Sequence, residues 1–162
     1  MKKKYPKKEL VFLVFLLGVF GLNFLGALIT KANLDPWYQS LIKPSFNPPS
    51  WVFGPVWTFL YIIIAWVGAL VWLMPTSSHR GKLLNLWLAQ MLLNFLWSFI
   101  FFGFHQMLLA ALELTCLIGV VAVLTTKLYK VSKIAFSGFF LYLAWIIYAG
   151  ILNWTLYGLN HF

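Results

Sequence analysis

Apolar positions run along the chain in five long blocks: Leu10 to Ile29, Pro55 to Met74, Leu83 to Phe102, Met107 to Thr126 and Ile134 to Tyr157. A helix crossing roughly 30 Å of hydrocarbon needs about 20 such residues at about 1.5 Å of rise each, and every block meets that length. The blocks predict an all-α integral membrane protein: a five-transmembrane-helix bundle, one membrane domain over residues 1–162, with no room left for a soluble domain.

Three connections are short, Pro75 to Lys82, Gly103 to Gln106 and Lys127 to Lys133, as antiparallel neighbours in a bundle require. The first connection differs. Thr30 to Gly54 holds Pro36, Pro44, Pro48 and Pro49, which fix φ and remove backbone donors, so no regular helix is expected through it. It also carries Trp37, Tyr38, Phe46, Trp51 and Phe53. A long Pro/Trp-rich loop of this kind reads as a packed lid over the bundle, residues 30–54; an interfacial aromatic belt is the alternative. No internal repeat and no matched pair of Gly/Pro-broken spans points to an inverted-repeat transporter.

Polar residues inside apolar spans turn towards protein, so their spacing marks the inward faces. In the third span Gln90, Asn94, Trp97 and Ser98 fall on one face. Trp57 and Tyr61 pair at i, i+4 in the second, and Trp145, Ala149 and Asn153 recur every four residues in the fifth, where the small Ala149 leaves a gap between larger neighbours. Together these faces would line an uncharged cavity walled by indole and phenol. The alternative is helix packing joined by interhelical hydrogen bonds, worth about 0.6 to 2 kcal/mol each. Nine Trp exceed what interfacial belts on so small a bundle require, which favours the cavity.

Composition sharpens this picture. With 62% hydrophobic and 9% charged residues, the chain cannot build a water-facing surface. The net charge of +9 suggests nucleic acid only until its distribution is read, because the basic residues cluster between spans. With a cytoplasmic amino terminus, that side collects Lys2, Lys3, Lys4, Lys7, Lys8, Arg80, Lys82, Lys127, Lys130 and Lys133, while Lys31 and Lys43 lie opposite. This asymmetry orients the amino terminus inside and the carboxyl terminus outside. The apolar run after the lysine-rich start is longer than the roughly 7 to 15 residues of a secretory signal, so cleavage is not expected.

Candidate chemistry is sparse. Cys116 is alone, which excludes a disulfide framework or a Cys-based metal site. His79, His105 and His161 lie at loops or the terminus, so no pair spans the bundle to ligate haem, and no metal site is expected. Glu113 is the one acid within a span; it is expected to be protonated or hydrogen-bonded to an amide such as Asn94 or Gln90. The residues alone propose no active site.

The segment from Trp37 to Trp57, with its Trp37-Tyr38, Lys43-Pro44-Ser45, Pro48-Pro49 and Gly54-Pro55-Val56-Trp57 elements and the following Leu60-Tyr61, resembles the translocator protein family, also called tryptophan-rich sensory proteins or peripheral benzodiazepine receptors. Leu93-Asn94 through Trp97, Phe101-Phe102-Gly103, Gln106-Met107, Tyr142-Leu143-Ala144-Trp145 and Leu152-Asn153 extend the likeness over spans two to five. The resemblance implies a membrane receptor or carrier whose first loop closes over a pocket for porphyrins (protoporphyrin IX, haem-type tetrapyrroles) and other hydrophobic aromatic ligands. The matching ligand-contact positions are Tyr38, Pro48, Trp57, Asn94, Trp97, Trp145 and Ala149; Trp37, Trp51 and Tyr61 join them by pattern. Porphyrin enters as ligand, and no obligatory cofactor is implied. A contested light- or oxygen-dependent porphyrin breakdown in the family is attributed to the tryptophans matching Trp57 and Trp145, which makes a porphyrin-degrading enzyme one alternative and a small-solute transporter another. Two departures stand out. The sterol-recognition motif is broken, with Trp154 and Tyr157 where Tyr and Arg are expected, so cholesterol is not an expected partner through it. The small-residue strip used for homodimers reads Asn85 and Ala89, which keeps a homodimer expected but loses one small residue. The absence of an Arg/Ser-rich presequence fits a bacterial membrane.

Overall fold

The computed structural model describes residues 7–161, so Lys2, Lys3 and Lys4 of the basic start lie outside the described residues. Five helices carry the chain: α1 Lys8–Ala32, α2 Ser50–Trp72, α3 Ser78–Ser98, α4 Met107–Leu128 and α5 Lys133–Asn160. Each is long and apolar enough to cross a membrane, α3 together with a π-helical turn, Phe99–Gly103, that continues it. The all-α membrane bundle expected from the apolar blocks is therefore the observed class.

The helices close a ring in which α1 packs on α2, α2 on α5, α5 on α4, α4 on α3, and α3 again on α1. Across the ring α2 also meets α3. There the buried Trp87 indole N–H donates to the Ile64 carbonyl at 2.9 Å. Beside it, a Cβ added at Gly68 would lie 2.6 Å from both Phe15 of α1 and Trp87 of α3. Three helices approach at this point because Gly68 has no side chain to hold them apart.

The lid is shorter than expected. α1 runs on to Ala32 and ends where Asn33 Nδ2 turns back to the Ile29 carbonyl at 2.9 Å. α2 starts at Ser50, after Pro49, instead of at Pro55. In an apolar setting, winding residues 50–54 into helix satisfies their backbone groups, and Pro55 in the second turn forgoes a single intrahelical bond. The connection is thus residues 33–49, and no regular helix runs through it: Leu34–Tyr38 is kinked, with Asp35 extended at φ −126° and ψ 132°.

Helix direction places Lys7, Lys8, Arg80, Lys82, Lys127, Lys130 and Lys133 at one end of the bundle and Lys31 and Lys43 at the other. The basic end is packed with aliphatic side chains, among them Val67, Leu83, Val121, Leu124 and Leu128, all fully buried. Towards the lid the core turns aromatic.

Candidate ligand-binding site

The π-helical turn after α3 holds an extra residue in its wider ring and sets Phe101 and Phe102 into the bundle, where both are buried. They form the floor on which the lid rests. Trp37 meets Phe101 edge-on at 5.3 Å and Tyr38 meets Phe102 at 5.5 Å. Trp37 also stacks on the His105 imidazole at 4.1 Å, which ties the first connection to the α3–α4 link. Tyr38 donates a long hydrogen bond, 3.4 Å, to Asn47 Oδ1, and Lys43 lies over its ring. Burial pushes the Tyr38 phenol above its ordinary value, and the bond to Asn47 pulls the other way.

Beneath the floor, Trp97 links two clusters of the core. Its ring stacks on Phe101 at 5.1 Å, and its indole N–H donates to Asn153 Oδ1 of α5 at 3.0 Å. Asn153 in turn donates to the Met107 carbonyl of α4 at 3.1 Å, so one amide joins three helices. On α2, Trp57 stacks on Tyr61 at 5.3 Å and meets Tyr142 of α5 edge-on at 6.4 Å. Trp145 lies one turn beyond Tyr142 and packs against Phe53 at 6.0 Å. Its indole nitrogen is buried and has no hydrogen-bond partner.

Of the ten residues expected to touch ligand, Trp57, Tyr61, Trp97, Trp145 and Ala149 pack on one core cluster, and Trp37 and Tyr38 on the adjoining one, which Trp97 shares. Asn94 is buried between α3 and α5. Pro48 is half-buried, its carbonyl accepting from Asn47 Nδ2 at 3.2 Å. Trp51 stands apart: it is 74% exposed in the first turn of α2 and faces away from the others. The rule that a loop aromatic belongs to the lid fails for it, because helix now begins at Ser50 and its periodicity points residue 51 outwards. Ser98 also leaves the expected face, since it lies against Gly26 of α1.

Tyr142 is the site residue that pattern reading passed over. Fully buried, its hydroxyl accepts from Asn94 Nδ2 and donates to Gln90 Oε1, each at 3.1 Å. Asn94 Nδ2 and Gln90 Oε1 are thus engaged with Tyr142, while Gln90 Nε2 and both Glu113 carboxyl oxygens are buried without a partner, so the bond between Glu113 and an amide that the sequence suggested is not formed. Tyr142 sits in an apolar run with no polar neighbour at helical spacing, and only the ring order, which sets α5 against α3 through their shared neighbours, makes it central.

The rings in this half touch one another, so a ligand entering here has to part them. Open outward grooves lie elsewhere, between α4 and α5 (Ile118, Gly150, Trp154) and between α1 and α3 (Phe15, Gly18, Met91). Trp154 is engaged there with Thr115, its indole N–H donating at 3.2 Å.

Comparison with known proteins adds an independent line. The profile of the TspO/MBR family matches residues 12–158. A tryptophan-rich protein TspO of Archaeoglobus fulgidus is 34% identical over 145 residues, covering 90% of this chain and 94% of the relative. The translocator protein of Homo sapiens is 36% identical over 140 residues, 85% of this chain and 83% of that protein. Protein CrtK of Rhodobacter capsulatus is 34% identical over 134 residues, 81% and 84% of the two chains.

Proposed function

Because this chain belongs to the TspO/MBR family of integral, multi-pass membrane proteins, we propose that it is a receptor or carrier for porphyrins and similar flat aromatic molecules, held among the indoles beneath the first connection. The observation that carries the reading is the Trp145 indole N–H, buried in an aromatic half of the bundle with no acceptor, among Phe53, Tyr148 and the helix that also presents Tyr142. A buried donor without a partner costs about 1 to 3 kcal/mol, and a ligand acceptor in the same place recovers it. The half-buried Trp57, Tyr61 and Trp97 offer apolar faces on which a macrocycle can stack. Its propionates would then lie at the mouth, near the Lys43 ammonium that rests over Tyr38. In this reading the basic end of the bundle is cytoplasmic and the lid faces the opposite side. A homodimer through the outer face of α3, where Asn85 is exposed and Ala89 half-buried, belongs to the same proposal.

The test is a titration of the purified protein with protoporphyrin IX followed by tryptophan quenching. Wild type should saturate, and a Trp57→Ala, Trp145→Ala double variant should bind at least about tenfold more weakly, the factor for about 1.4 kcal/mol. Equal binding by the two proteins would remove the pocket from this position. Mass analysis of the pigment after illumination separates a receptor, which returns it unchanged, from an enzyme that degrades it.

A further inference from the structure

We propose that residues 42–46 are a strap latched to α5 by Asn160 and Tyr148, and that ligand enters and leaves the aromatic half when this latch opens. The inference rests on the pocket reading above and adds to it the route that the touching rings demand. The first connection is held in two different ways. Its earlier part is anchored by rings: Trp37 and Tyr38 lie against the buried Phe101 and Phe102, and Trp37 stacks on His105. Its later part is tied by hydrogen bonds to side chains of α5. Asn160, the last residue of that helix, accepts from the Ile42 N–H at 2.8 Å and donates to the Ile42 carbonyl at 3.0 Å. The Tyr148 hydroxyl, about three turns earlier, donates to the Phe46 carbonyl at 2.7 Å.

These bonds are suited to opening. One amide side chain pairs with both backbone groups of a single residue, as a neighbouring strand would, so one rotation of Asn160 breaks both. A further bond from Asn160 Nδ2 to the Leu156 carbonyl of its own helix, at 2.9 Å, holds the side chain in the latching position. The bonds to Ile42 and Phe46 lie at exposed positions, where water takes over the freed groups at small net cost. Of residues 42–46 only Pro44 is buried, while Ile42 and Phe46 are 61% and 45% exposed, so lifting the strap gives up little packed surface. Release bears on the site because the Phe46 ring meets Tyr148 at 6.4 Å and Tyr148 lies beside Trp145 at 5.8 Å. Parting Phe46 from Tyr148 frees the ring next to the unbonded Trp145 indole, while the Trp37 and Tyr38 anchor stays in place.

The experiment measures rates on the full-length protein in lipid nanodiscs, with stopped-flow tryptophan quenching for association of protoporphyrin IX and a chase into empty vesicles for its release. Asn160→Ala should raise both rates by about tenfold, and Tyr148→Phe, which removes a single hydroxyl, should raise both by about threefold. The two rates rise together because the lost bonds hold only the closed state, empty or loaded; general loosening of the fold speeds release without speeding entry. Thr155→Val on the same helix, where the native hydroxyl bonds back to the Ile151 carbonyl, should keep wild-type rates. Hydrogen–deuterium exchange of the 42–46 segment in the empty protein should quicken in both latch variants. Tyr148→Phe decides the matter should Asn160→Ala not fold. Faster release with unchanged entry, wild-type rates or unchanged exchange in the latch variants, or equal acceleration by Thr155→Val overturns the latch while leaving the pocket intact. Failure of protoporphyrin IX to bind wild type overturns the pocket reading, and this inference with it.

Discussion

The two ends of the bundle solve different problems with the same five helices. At the basic end, aliphatic side chains are fully buried, and the indole N–H of Trp87 is matched to the Ile64 carbonyl. At the lid end, Trp57, Tyr61, Trp97 and Trp145 are half-buried, and the indole N–H of Trp145 is buried with nothing to bond. The contrast lies in these two indoles: one is satisfied where α2 and α3 must stay together, the other left open among aromatic rings. Lipid gives no hydrophobic force between helices, so the packed end relies on close approach at Gly68 and on interhelical hydrogen bonds. The lid end gives up some of that cohesion for surfaces on which a flat molecule could stack.

Substitutions along the axis can break or sharpen this division. The largest loss of stability is expected from Tyr142→Phe, which strands the Asn94 and Gln90 amides in the interior; about 2 to 3 kcal/mol should be lost in chemical denaturation, with Tyr142→Phe, Gln90→Leu recovering part of it. Gly68→Ala follows, forcing a methyl against Phe15 and Trp87 at the packed end; about 1 to 3 kcal/mol should be lost in thermal unfolding while the protein that remains folded binds porphyrin normally. Trp97→Phe removes the bond to Asn153 where the two clusters meet, and should lower stability by about 1 kcal/mol and porphyrin affinity together, the signature of a residue belonging to both halves. The smallest effect is expected at the surface of the lid: Tyr38→Phe deletes a long, partly exposed hydrogen bond to Asn47 and should move the unfolding midpoint by no more than about 0.5 kcal/mol in equivalent stability.

Much of the scaffold was legible before any coordinates, because bilayer thickness sets the length of an apolar block and five blocks met it. Helix ends were less legible. Pro55 reads as a boundary, yet the helix starts at Ser50, since backbone satisfaction near the membrane outweighs one lost bond. That shift is also why Trp51 was placed in the lid and is found facing outwards. Spacing of four residues identified the inward faces at Gln90, Asn94, Trp145 and Asn153, but could not say which helices those faces would meet. Hydrogen-bond partners depend on ring order, a property of the whole assembly. For that reason the bond between Trp97 and Asn153 and the central place of Tyr142 emerged only from the structure, and the amide bond expected for Glu113 is not formed.

The division between the ends is tested most directly by one pair of changes that are chemically alike, Trp87→Phe and Trp145→Phe, each compared with wild type for its protoporphyrin IX dissociation constant. Both remove an indole N–H, one bonded to Ile64 and one unbonded. Weaker binding in Trp145→Phe together with wild-type affinity in Trp87→Phe is the predicted result. Wild-type affinity in Trp145→Phe with weakened binding in Trp87→Phe would contradict the account and move the ligand to the packed end.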